Sequence, residues 1–151
     1  MTTRREMIKH GALLASLLAG VLPRLASADP LSKLSFDAKN LDELYKELGM
    51  GKPVESNLVT LTAPDIAENG AVVPLAISST APNVKRMLVL VEKNPNVLTA
   101  SFDVSDAVEP SFSTRVKMGQ TCYVYAVAIT ADKKMLFAQK EVKVTLGGCG
   151  G

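Results

Sequence analysis

Between residues 57 and 146 of this 151-residue chain the apolar residues recur with a period of two, in short runs cut off by turn residues. Side chains on a strand alternate between two faces, so each run buries one face and must pair with others to satisfy its backbone. Leu58-Val59-Thr60-Leu61-Thr62 reads as the first strand, ended by Pro64-Asp65 and the tight-turn signal Asn69-Gly70. Val72 to Ser78 follows, with Pro74 arguing for an edge or a bulge. Lys85 to Glu92 is apolar enough to be central, with Met87, Leu88 and Leu90 as core or interface residues. After Asn94-Pro95-Asn96 come Val97 to Val104 and Phe112 to Lys117, then Thr121 to Thr130, the longest run. Ala131-Asp132-Lys133-Lys134 turns the chain into Met135 to Leu146, either two short strands or one bent one. About seven short strands with frequent turns predict a mainly β fold, an immunoglobulin-like antiparallel β-sandwich over 57–146.

Residues 29–56 read as an N-terminal extension with one short helix; 29–39 are polar and read as loose. Asn40 can cap a helix with Glu43 three residues on, and Gly49 can close it. Leu41, Leu44, Tyr45 and Leu48 make one apolar stripe, so this helix lies against the domain or a partner.

The two ends of the chain serve other purposes. Arg4-Arg5, the apolar pair Met7-Ile8 and Lys9 have the form of a twin-arginine export signal, with Met7 where phenylalanine is commoner. An apolar stretch from Gly11 to Leu22 and the cleavage site Ala26-Ser27-Ala28 complete it. The stretch is shorter than the ~20 residues a membrane span needs. Residues 1–28 are therefore expected to be removed, and the remaining 123 residues to occupy the periplasm without a membrane anchor, as one domain with one core. The signal takes four basic residues and one acidic with it, leaving 13 against 14 and a net charge of −1. That balance gives no basic face for nucleic acid. The single histidine, His10, also leaves, which removes Ser-His and Cys-His pairs and histidine metal ligands. No catalytic residue, metal set or cofactor motif is found in the mature chain.

At the other end Leu146 is followed by Gly147, Gly148, Cys149, Gly150 and Gly151. Four glycines around one thiol make residues 147–151 a flexible arm with little side-chain surface to bury. Its three steps from Leu146 to Cys149 reach roughly 10 Å when extended, enough to present a sulfur atom to another protein.

These features together resemble the SoxY family, the sulfur-carrier subunits of the bacterial thiosulfate-oxidising Sox system. The resemblance runs through the signal, Ala63-Pro64-Asp65-Ile66-Ala67-Glu68-Asn69-Gly70-Ala71-Val72-Val73-Pro74, Val91-Glu92-Lys93-Asn94-Pro95, Thr114-Arg115-Val116-Lys117-Met118 and Val144 to Gly151. It implies a non-catalytic carrier whose Cys149 holds substrate sulfur covalently. The implied partners are a SoxZ-like subunit in a heterodimer, a haem c oxidising enzyme, a dimanganese hydrolase that releases sulfate and, where present, a sulfur dehydrogenase.

The residues themselves agree with a carrier. A thiol has an ordinary pKa of about 8.5 and reacts as thiolate. No basic residue lies nearer to Cys149 in sequence than Lys143, so the activating base, metal or field must come from the receiving enzyme. A thiol oxidoreductase would want a second cysteine in a Cys-x-x-Cys motif or an activating histidine, and neither is present. Cys122, in the strand pattern Thr121 to Val127, reads either as a small buried residue or as the partner of Cys149 in a disulfide. The second reading defines the alternative function, a periplasmic interaction protein stapled by Cys122–Cys149.

Overall fold

The computed structural model describes residues 31–145. Two short helices, α1 (Lys33–Asp37) and α2 (Leu41–Glu47), precede nine strands. These are β1 (Val54–Glu55), β2 (Val59–Thr62), β3 (Ile66–Ala67), β4 (Val73–Ser79), β5 (Val84–Val91), β6 (Leu98–Asp103), β7 (Ser111–Val116), β8 (Cys122–Thr130) and β9 (Met135–Val144).

Two sheets make the sandwich. The larger has the order β1-β9-β8-β5-β6, with β3 also paired to β9; the smaller is β2-β4-β7. Pairing among the seven longer strands is antiparallel. Alternation then sorts the side chains. Met87, Val89 and Val91 of β5 and Cys122, Val124, Ala126 and Ala128 of β8 point inward, against Val59, Val73, Leu75 and Ile77 of the smaller sheet. Phe102 of β6 stacks on Phe112 of β7 with ring centroids 4.5 Å apart and closes the seam between the sheets.

The one-core expectation is corrected. The opposite face of β5 and β8 (Leu88, Leu90, Val127 and Ile129) is covered by a second apolar layer with Ala38 and Leu44. Leu41, Tyr45 and Leu48 pack at its margin, which places the stripe of α2 on its own domain. A strand buried on both faces needs a continuous apolar run, and Met87 to Val91 supplies one, each residue 0% exposed.

Asn40 caps α2 as its sequence suggests, accepting from Glu43 N at 2.9 Å. Glu43 reaches one residue further back than a capping box does, to Lys39 N at 2.7 Å. Gly49 closes the helix with φ +62° and donates to Lys46 O at 3.0 Å. Two other local readings are corrected, and one left open between two alternatives is decided. Residues 33–37, expected to be loose, form α1, whose cap is the Ser32 side chain accepting from Ser35 N. The 135–146 run holds one strand, β9, through Val144. Pro74 stands in the central strand of its sheet, not at an edge. It is tolerated there because the ladder with β2 ends at Thr62↔Ala76, before Pro74 is reached.

Candidate functional site

The C-terminal end of β9 is the base from which the Gly-Gly-Cys-Gly-Gly segment continues. Cys149 and Gly147, Gly148, Gly150 and Gly151 lie outside the described residues. What the structure gives is the anchorage of that base. β8 runs along one edge of β9, with Cys122 opposite Val142 at this end. The other edge carries two short parallel strands, β1 at Leu136 and Phe137 and β3 at Lys143 and Val144.

Successive residues of a strand direct their N–H groups to opposite edges. Lys143 N donates to Asp65 O at 3.0 Å and Thr145 N to Ala67 O at 3.1 Å, both toward β3. Between them Val144 N turns the other way and donates to Thr121 Oγ1 at 2.9 Å. This end of β9 is thus held from both sides, three consecutive amides each with a partner, and Thr145 Oγ1 adds a long contact to Glu68 O at 3.4 Å.

Two residues of backbone cannot hold a strand in place by themselves, and Lys140 supplies the fixing. Its ammonium donates to Ala63 O at 2.6 Å and pairs with Asp65 Oδ1 at 2.9 Å, so it ties the β2–β3 connection down to β9. That pairing holds the Asp65 carboxyl below its usual 3.8. In the sequence, Pro64 to Gly70 reads as turn punctuation only, and no role falls to Lys140 or Thr121. The available signal is the segment Asp65-Ile66-Ala67-Glu68-Asn69-Gly70 itself, which carries the resemblance but is too short to reveal its pairing.

Beside the root lies a cleft of about 590 Å³ lined by Lys93, Gln120, Thr121, Cys122, Tyr123 and Val144, among others. Cys122 touches it from inside: its thiol is free, and the residue is only 4% exposed. Burial pushes this thiol up from its ordinary value, with the Glu92 carboxylate adding to the rise and hydrogen bonds from the Lys93 and Glu92 backbone opposing it. A thiol so placed is a packing residue and a poor nucleophile at neutral pH. A second cleft, about 790 Å³, lies by Thr62–Pro64 and Pro74–Ala76, and Arg115 is the one ionisable group in its lining. No group of three or more potential metal ligands occurs among the described residues.

A family model described as "Sulfur oxidation protein SoxY" matches residues 45–149, a span that starts in α2 and ends on the terminal cysteine. The solved structure of the sulfur carrier protein SoxY from Chlorobium limicola f thiosulfatophilum is 33% identical, with a TM-score of 0.61, over 70% of this chain and 94% of that one. The chain belongs to the SoxY family. A superoxide reductase (neelaredoxin) from Ignicoccus hospitalis is 18% identical with a TM-score of 0.51, over 57% of this chain and 78% of that one, and shows a shared fold alone. Among curated proteins no match is found. Membership identifies the chain as a sulfur-oxidation protein, and the β-sandwich seen here agrees with the fold of the Chlorobium carrier.

Proposed function

We propose that the chain is a covalent carrier of sulfur in periplasmic thiosulfate oxidation, with Cys149 as the attachment point. The observation that carries this reading is the match to the SoxY family through residue 149, combined with a strand that is clamped on both edges immediately before the glycine-flanked cysteine. A rigid root and a narrow arm suit a thiol that must enter another protein's channel.

The steps follow from the sulfur chemistry. Cys149 thiol and thiosulfate join through a new S–S bond, losing a proton and two electrons, which a haem c enzyme accepts. Water then cleaves the S–SO₃ bond at a dimanganese hydrolase, releasing sulfate and leaving a persulfide on Cys149. A sulfur dehydrogenase, where present, takes six electrons from that outer sulfur while three water molecules supply its oxygens, and hydrolysis of the resulting S-sulfonate releases sulfate and restores the thiol. The chain itself supplies reach and presentation: Gly147, Gly148, Gly150 and Gly151 keep the arm thin, and the chemistry belongs to the partners. It works as a heterodimer with a SoxZ-like subunit. Export through the twin-arginine signal in residues 1–28, a route for folded proteins, allows the pair to assemble first. The Cys122–Cys149 staple would have to draw a buried free thiol out of the inter-sheet core, and no observation favours it.

Intact mass of the mature chain after incubation with thiosulfate and the oxidising cytochrome tests this. A thiosulfonate increment is expected on the wild type and none on Cys149→Ser; an increment that survives in Cys149→Ser refutes the assignment. Gly148→Val should keep the fold and slow loading, whereas equal loading rates would refute the requirement for a thin arm.

A further inference from the structure

If Cys149 carries sulfur, as proposed above, the length of the arm limits where a receiving enzyme can touch. Thr145 is fixed in the sheet by its amide bond to Ala67 O, and Cys149 lies four residues beyond it. Four steps of fully extended chain cover at most about 14 Å. An enzyme whose reacting centre is sunk below its surface must therefore bring its mouth down onto the residues around Thr145. A standard interface of about 800 Å² per partner is a disc of roughly 16 Å radius, so that ring lies inside it.

The ring presents exposed apolar side chains among charged ones. Ile66, opposite Lys143 in the β3–β9 pair, is 56% exposed, and Val72, at the end of the loop returning from β3, is 52% exposed. On the other flank Tyr123, 42% exposed, lines the cleft that Val144 also lines. Single exposed apolar side chains are ordinary on a protein surface. Here two of the eight large exposed ones among the described residues, Ile66 and Tyr123, flank one strand end, and Val72 follows in the loop that leaves β3. Val54, by contrast, sits opposite Leu136 near the other end of β9. The charges around the ring are mixed, with Lys93, Lys143, Glu68, Glu92 and Glu141, so no field of one sign selects the partner.

We propose that Ile66 and Val72, with the Tyr123 side of the cleft, form the docking surface for the enzyme that takes the Cys149 thiol, and that this enzyme bears an apolar rim around its channel mouth. Ile66→Asp and Val72→Asp test it in the full mature chain, with Leu34→Asp in the helix layer as the control. Val72 lies outside the strands with its side chain half exposed, and a melting curve checks that each variant keeps the fold. Thiosulfate loading by the haem c enzyme should fall about tenfold or more in kcat/KM for each of the two, as for a truncated interface anchor. Alkylation by iodoacetamide, which needs no docking, should proceed at the wild-type rate, and Leu34→Asp should load like wild type. Loading of Ile66→Asp and Val72→Asp at the wild-type rate, an equal loss in Leu34→Asp, or loss of the SoxZ-like subunit from the Ile66 and Val72 variants on size-exclusion chromatography, would overturn the docking surface. A wild-type chain that takes up no sulfur at all would overturn the carrier reading instead.

Discussion

Replacing Lys140 by methionine keeps the aliphatic stem of the side chain and removes the ammonium that ties the β2–β3 connection to β9. Two interactions go with it, the 2.6 Å bond to Ala63 O and the 2.9 Å pair with Asp65. The Asp65 side chain is 88% exposed, so its ion pair contributes little. The charged hydrogen bond to a main-chain carbonyl is the larger loss, and for a partly buried donor it comes to about 1–2 kcal/mol. That free energy acts at one place, because it holds β3 against the end of β9. Amide hydrogen exchange reads it residue by residue. Lys143 and Thr145 donate to the Asp65 and Ala67 carbonyls, and their protection should fall by about 5–30-fold. Val144 donates to Thr121, on the other flank, and should keep its protection. Equal loss at all three amides, or no loss at any, would refute the two-sided clamp. Acid should act in the same direction: the Asp65 pair contributes above pH 3.8 and its contribution is lost as pH falls through the lowered folded value.

Two further predictions concern the helix layer. Leu44→Ala empties a fully buried position between α2 and the larger sheet and should cost about 2–5 kcal/mol, a fall in Tm of roughly 8–20 °C; a melting curve that barely moves would show the helices to be an appendage. The Tyr45 phenol is pushed up to about 12, first by burial and then by Tyr125 and Asp42. A raised pKa favours the neutral form in the fold, so its contribution is complete below pH 10.0 and is lost as pH rises through about 12. Alkaline absorbance titration should show a late phenolate phase that Tyr45→Phe removes, and retention of that phase in the variant would contradict the burial.

The parts of the fold that can be read from the sequence are those with enough residues to show a period. The ten residues of β9 and the nine of β8 carry several alternations each, and the unbroken Met87 to Val91 run marks a strand covered on both faces. β1 and β3 have two residues apiece, and two residues have no period. α1 spans five residues with one buried position, so no stripe exists to be seen. The candidate site divides in the same way. Cys149 among four glycines is a local pattern, visible without a fold. The clamp at its root is built from Lys140 and Ala63, 77 positions apart, and from Thr121 and Val144, 23 apart, contacts that only the sheet register brings together.

Of the two thiols in this chain, the carrier reading loads sulfur on the terminal one only. Trypsin separates them, since Cys122 falls in the peptide of residues 118–133 and Cys149 in that of residues 144–151. Peptide mass analysis of the wild-type chain after turnover with thiosulfate and the partner enzymes should find thiosulfonate and persulfide sulfur on the second peptide alone. Sulfur on the Cys122 peptide, or a bond joining the two peptides as the main product, would contradict it.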